Sequence, residues 1–183
     1  MTDSGLTGQA ESMLGTQIRP AGPDDEERVR RFLCGLSLHT QTLRFFTGQP
    51  SPAASLVRAL VAVNERRDVL VATTPDGEIV GHAMSYQGGV ADVEVAVVVT
   101  DDWQGRGLGP CLVRTLLLRA FVRGARTVAM DVMGENRRAL RLIRRVWPDA
   151  RMTVCSGAVE VTAMIDPAVL FAEQGSVATP LTV

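Results

Sequence analysis

Residues Gln104-Gly105-Arg106-Gly107-Leu108-Gly109 join two apolar segments of different character. Before them runs Val93-Glu94-Val95-Ala96-Val97-Val98-Val99, and after them Leu112-Val113-Arg114-Thr115-Leu116-Leu117-Leu118-Arg119-Ala120-Phe121. The order is strand, glycine-rich loop, helix, and it limits the chain to folds that carry such a unit. A loop of this kind aims backbone N–H groups and a helix N-terminus at one point, which suits a phosphate. Glycine permits unusual backbone angles and lets an anion approach the main chain closely. Three alternating glycines at a helix start are costly unless used. A phosphate-bearing ligand is therefore expected at this loop.

Three phosphate-loop patterns compete. The P-loop places Lys and then Ser or Thr after its glycines, and this chain contains no lysine, so that pattern is excluded. The dinucleotide fingerprint Gly-x-Gly-x-x-Gly would put its third glycine at Pro110, although Asp131 lies where a ribose-binding acid would sit. A misplaced glycine spoils the helix–strand packing it serves. The third pattern, Gln/Arg-x-x-Gly-x-Gly/Ala, is matched throughout by Gln104–Gly109.

The rest of the chain supplies a context. The 183 residues fit one domain, and a hydrophobic content of 46% is ample for a buried core. A net charge of −1 predicts no general attraction to nucleic acid. Cys34, Cys111 and Cys155 are far apart and odd in number, which suggests a reducing compartment. Cys111, early in the helix, reads as a small core residue. His39 and His82 are the only histidines, and no metal-ligand spacing is visible, so no metal is expected. No leader pattern and no apolar run of about 20 residues is present, so the reading is cytoplasmic with no membrane partner.

Residues 1–15 are small and polar and are expected to be disordered. Thr16 to Arg19 predicts a strand ended by Pro20. Pro23-Asp24-Asp25-Glu26-Glu27 predicts a helix start, with Val29, Phe32, Leu33 and Leu36 on one face. Leu56, Leu60 and Val63 predict a second short helix. Strands are expected at Val69–Ala72, Ile79–Tyr86 and Val90–Val99, separated by the turns Pro75-Asp76-Gly77 and Gly88-Gly89. After the glycine loop and its helix come a strand at Thr127–Val132, a helix at Asn136–Val146, and a closing hairpin around Val154 and Val159/Val161/Ala163/Ile165. Beyond Asp166 no pattern is evident.

With the loop in this order of elements, the chain from Gln17 to Ile165 resembles the GNAT superfamily of acetyl-CoA-dependent N-acetyltransferases, whose motif A has the Gln104–Gly109 pattern. The resemblance implies an α/β (α+β) fold with a mixed, mostly antiparallel sheet of about seven strands and helices on both faces. It implies strands that splay apart around the glycine loop, with acetyl-CoA held between them. The domain would span 16–166, with 167–183 as a tail. Main-chain groups of Val97 and Val99 would meet the pantetheine, and Gln104, Gly105, Arg106, Gly107, Leu108 and Gly109 the pyrophosphate. Asn136, in a series Asn136-x-x-Ala139-x-x-Leu142 similar to the family's second motif, would contact the cofactor arm, although Asn is also a common helix N-cap.

Acetylation of an amine needs a general base for the incoming ammonium. Glu94, flanked by valines, is the candidate; it either lies partly buried in the cleft, where apolar surroundings favour a proton on a carboxylate, or faces water by simple alternation. Several members of the family place a glutamate on this strand. Asp92 reads as a surface residue. The family's usual Tyr, which protonates the leaving thiolate, is Ile143 here, and the only Tyr is Tyr86 on another strand. Pro110 removes one N–H from the loop but is tolerated in a first helical turn. Arg106 either pairs with a phosphate or is a solvated charge, and Trp103 either stacks or packs. Arg137, Arg138, Arg141, Arg144 and Arg145 form a mostly one-sided basic stripe, either solvated or facing a phosphate or acidic partner.

The segment Leu36-Ser37-Leu38-His39-Thr40-Gln41-Thr42-Leu43-Arg44-Phe45-Phe46 loosely resembles the Leu-Ser-x-x-(Ser/Thr)-x-x-x-Arg-Phe-Phe stretch of bacterial Pat-type protein lysine acetyltransferases. Read from its residues, it is a helix end with Phe45 and Phe46 as aromatic core anchors. The function implied is transfer of acetyl from acetyl-CoA to a primary amine, on a protein or a small molecule, with a homodimer compatible. The alternative is a GNAT-fold module that senses acyl-CoA without turnover.

Overall fold

The structure is a computed structural model that describes residues 12–13, 15–48 and 51–172. Its order of elements is β1 (Ser12–Met13), β2 (Thr16–Pro20), a short 3-10 turn at Pro23–Asp25, α1 (Glu26–Gly35), α2 (Leu38–Phe45), α3 (Ala54–Val61), β3 (Arg67–Thr73), β4 (Ile79–Gln87) and β5 (Val93–Val99). A turn at Asp101–Trp103 leads to α4 (Leu108–Val122), β6 (Thr127–Met133), α5 (Arg137–Val146), β7 (Arg151–Cys155), β8 (Ala158–Met164) and α6 (Pro167–Ala172). The strands form one sheet in the order β1-β2-β3-β4-β5-β6-β8-β7. This is the mixed, mostly antiparallel sheet expected, with β1 as an added eighth strand.

The alternation of each strand divides its side chains between two layers. Val69 and Val71 of β3 face α1 and α3, packing with Val29, Phe32, Leu33, Val57 and Leu60. Leu70 and Ala72, one residue out of step, face α4 at Leu108, Leu112 and Leu116. On the other half, Leu117 and Ala120 of α4 and Leu140 and Ile143 of α5 cover Val128, Met130 and Val132 of β6. Period-2 strands between period-3.6 helices produce this layering directly.

The sheet is not uniform. Among the described residues, β5 and β6 are the one pair of parallel neighbours, and their pairing is limited to Val93 with Val128 and Glu94 with Ala129. Past Glu94 and Ala129 the two strands run on without pairing, so their C-terminal ends splay apart. A gap between parallel strands leaves main-chain groups unpaired unless something else meets them.

Several elements depart from the expectations. Ser12 and Met13 form a strand inside the stretch expected to be disordered, because the chain reverses at Gly15 (φ 78) and pairs them with Gln17 and Thr16. The segment before Phe46 is a separate helix, α2, started by Ser37, whose Oγ accepts from the Thr40 N–H at 3.2 Å. Only Phe45 packs toward the core; Phe46 ends α2 in a left-handed conformation (φ 60) and is 47% exposed. Val63 lies beyond the end of α3 and is exposed, and β5 starts at Val93, with Val90 exposed. Asp166 is followed by a helical turn whose Leu170 is buried in the β6–β8 layer.

Candidate active site

The splay of β5 and β6 opens into a cavity of about 1140 Å³ that runs from the first turn of α4 to the C-terminal end of α2. Val95, Ala96 and Val97 of β5 and Ala129 to Val132 of β6 form its walls. Gly109, Pro110 and Val113 of α4 and Asn136, Ala139 and Ile143 of α5 close one side. Arg44, Met84, Tyr86 and Glu94 lie on the other.

At the α4 end, Gly105 (φ 83) and Gly107 (φ 87) adopt backbone angles that favour glycine. Nη2 of Arg138 stands 2.7 Å from where a Cβ on Gly105 would be, although the flexible arginine tip could move aside, so it is the backbone angle that favours glycine here. α5 thus brings a guanidinium onto the loop. Arg106 lies with its guanidinium 5.2 Å from the Trp103 ring centre, so these two residues stack on each other. Leu108 and Gly109 are the first two residues of α4, where N–H groups have no intrahelical acceptor, and Pro110 has no N–H. The Leu108 side chain is a core residue, 1% exposed, so only its main chain can face a ligand. Gly109 has helical geometry and lines the cavity; a Cβ placed there would stand 3.8 Å from Val99 Cγ2, in ordinary contact.

Gln104 is turned inward. Its Nε2 donates to the Val99 carbonyl at 3.1 Å and to Thr40 Oγ1 at 3.2 Å. These bonds tie the Gln104 side chain to the Val99 carbonyl within the fold, while Val97 lines the cavity. Asp101 completes the tie: its carboxylate accepts from Ser37 N at 3.1 Å, Ser37 Oγ at 2.7 Å and Thr40 Oγ1 at 2.8 Å. Partial desolvation pushes Asp101 up, but the bonds from Ser37 and Thr40 outweigh it and hold the carboxyl below its ordinary range. α2 is thus fastened by its N-terminus to the glycine loop, a connection that sequence spacing did not reveal.

Asn136 caps α5, its Oδ1 accepting from the Ala139 N–H at 3.1 Å, and it also lines the cavity. Ile143 is buried in the cavity wall at the position where the family pattern has Tyr.

Glu94 is exposed to the cavity rather than half-buried among its valine neighbours, because Val93 and Val95 point to the opposite face of β5. Its carboxylate folds back over the Gly88-Gly89 turn, with Oε1 occupying the place a side chain on Gly89 (φ 91) would take. Tyr86 stands directly across from Glu94 in the β4–β5 pairing. Asp92 is a connector: Oδ2 accepts from the N–H groups of Arg126 (2.8 Å) and Thr127 (2.9 Å) at the start of β6.

Among the described residues no group of three or more His, Cys, Asp and Glu could hold a metal, and no helix is long and apolar enough to cross a membrane.

Comparison with known proteins gives a consistent picture. A family model described as "Acetyltransferase (GNAT) family" matches residues 38–146, more than half of the chain. An L-methionine sulfoximine/L-methionine sulfone acetyltransferase of Pseudomonas paraeruginosa is 32% identical over 83 residues, covering 43% of this chain and 48% of its own length. The chain thus matches about half the length of that relative. An acetyltransferase of Pseudomonas aeruginosa is 30% identical over 125 residues, covering 66% of this chain and 67% of its own. Among solved structures, the GNAT domain of S. lividans PAT superposes with a TM-score of 0.74 at 25% identity, over 81% of this chain and 90% of that one.

Proposed function

Because the chain belongs to the acetyltransferase (GNAT) family, we propose that it is an N-acetyltransferase that moves an acetyl group from acetyl-CoA to a primary amine, within a catalytic unit spanning 16–166. The observation that carries this reading is the unpaired length of β5 and β6, which opens a cavity joining the glycine loop to Glu94. The residues present fit the cofactor: two positive-φ glycines with the Arg138 guanidinium against one of them lead into the first N–H groups of α4, a set of donors suited to a pyrophosphate. Unpaired main chain in the cleft suits the amides of a pantetheine arm.

Acetyl-CoA, when bound, supplies the thioester carbonyl that the amine attacks. Glu94 takes a proton from the incoming ammonium, directly or through a water, and so exposes the nitrogen lone pair. A C–N bond forms and the C–S bond breaks; one proton from nitrogen returns to sulfur and one leaves to solvent. Exposure to the cavity keeps Glu94 in contact with that solvent. With Ile143 in the cleft wall, no side chain of α5 at that point donates the sulfur proton, and water takes the role.

The acceptor has two candidate classes among the relatives, an amino-acid derivative and, from the likeness to the Pat-type domain, a protein amine. The test is transfer of labelled acetyl into fractionated lysate, with Glu94→Gln beside it. A loss of rate of about 10²-fold or more, with CoA affinity unchanged, is expected. A second reading, an acyl-CoA sensor without turnover, is favoured by Ile143 alone. It requires that both proteins bind CoA and neither transfers acetyl.

A further inference from the structure

Among the described charged side chains that line the cavity, Arg44 is the one with a polar atom shut off from solvent and no hydrogen-bond partner for it. Arg44 sits near the end of α2, which packs against β5 and β6, and it lines the cavity with Met84, Tyr86 and Glu94. The residue is half-buried by surface, yet its Nε is shut off from solvent and has no hydrogen-bond partner. Among the described residues it makes no ion pair. Other arginines find acceptors: Arg19 forks onto Asp25 with both bonds at 2.7 Å, Arg119 and Arg123 converge on Asp68, and Arg67, whose Nε is likewise shut off without a partner, donates from Nη1 to the Ala59 carbonyl at 3.1 Å.

A guanidinium whose Nε–H is cut off from water with no acceptor carries a desolvation cost that no counter-charge offsets. Burial pushes Arg44 down to about 10. The Phe45 ring, 4.9 Å from the guanidinium carbon, offers a π face but no hydrogen-bond acceptor. His82, close enough to feel the Arg44 charge, has its Nε2 on the Leu60 carbonyl at 2.8 Å, and its Nδ1 makes no hydrogen bond, so the ring does not pair with Arg44. The missing partner is an anion, and a planar carboxylate matches the arginine fork best.

Resting on the acetyl-transfer reading above, we propose that Arg44 binds a carboxylate on the acceptor, so that the acceptor is a small amine that also carries a carboxylate. Glu94 and Arg44 then serve two groups of one acceptor within the same cavity, the first meeting the ammonium and the second the carboxylate. Neither a lysine side chain nor a chain N-terminus carries such a group beside its amine, and either would leave Arg44 unpaired.

The test is calorimetric titration of the full-length protein, saturated with CoA, using the proteinogenic L-amino acids and their methyl esters. At least one free acid should bind about tenfold or more tightly than its ester, the value of a hydrogen bond to a charged group. Arg44→Met should abolish that preference and Arg44→Lys should keep part of it, while both variants still bind CoA. Equal binding of acid and ester, binding of neither, or a preference that survives in Arg44→Met overturns the assignment; the wild-type comparison decides even if a variant fails to fold. Transfer is measured separately. An Arg44-dependent acid preference with undiminished turnover in Glu94→Gln supports the carboxylate site and overturns only the base.

Discussion

His82 on β4 lies inside the layer between the sheet and α3, 1% exposed, with Nε2 bonded to the Leu60 carbonyl and Nδ1 enclosed without a partner. Since a carbonyl only accepts, Nε2 carries the proton in the neutral ring. Burial pushes its pKa down to about 4, Arg44 adds to the effect, and the Leu60 carbonyl opposes it. The unfolded chain, with His near 6.5, then binds this proton more readily than the folded one. Stability from this residue is present above 6.5 and is lost as pH falls toward about 4, by about 3 kcal/mol in all. Urea unfolding at pH 7 and pH 5 should show the slope, and His82→Leu should lack it. Asp25 behaves likewise at lower pH. The hydrogen-bonded Arg19 fork outweighs desolvation and holds it at about 2, so its contribution disappears only between about 3.8 and 2.

Among the elements, α2 decides most about the site. Its first turn is tied to the cofactor loop through Asp101 and Gln104, and its last turn carries Arg44 into the acceptor side of the cleft. One short helix therefore couples the two halves of the cavity. Asp101→Asn keeps the shape but replaces one acceptor oxygen with a donor. It should cost about 1–2 kcal/mol of stability and weaken CoA binding several-fold. Asp102→Asn, at the exposed neighbouring position, should change neither. Equal loss in the two variants, read by calorimetry and thermal melting, would show that the clamp has no special part.

Over the whole molecule, α4 belongs to two cores at once: Leu108, Leu112 and Leu116 pack with β3 and β4, while Leu117 and Ala120 pack with β6, β8 and α5. Because the sheet pairing between β5 and β6 is brief, α4 supplies much of the connection across the cleft. The two tryptophans report the two sides, Trp103 against the first core and Trp147 against the second. In Trp103→Phe and Trp147→Phe proteins, denaturant curves followed by the remaining tryptophan should coincide in midpoint. Separate midpoints would mean that the halves unfold independently and that 16–166 is not one cooperative unit.

The elements with strong local signals were legible in the sequence. Alternating valines, the Pro75-Asp76-Gly77 turn and the glycines of 105–109 each impose a backbone state through sterics and period alone, whatever packs around them. α2 was hidden because a Thr-rich stretch with few apolar residues leaves little periodicity to read; its helix depends on the Ser37 cap and on Asp101, 64 residues away. Glu94 was legible as a candidate, but its exposure, its fold over Gly89 and its facing of Tyr86 follow from register. The inward turn of Gln104 and the approach of Arg138 to Gly105 likewise require elements distant in sequence. By itself the sequence determined the strand–loop–helix unit and hence the anion-binding loop, because those follow from local backbone preference. Only the tertiary structure decided which charges meet partners and which, like Arg44, are left enclosed in the cleft, because desolvation and pairing are properties of what surrounds a side chain.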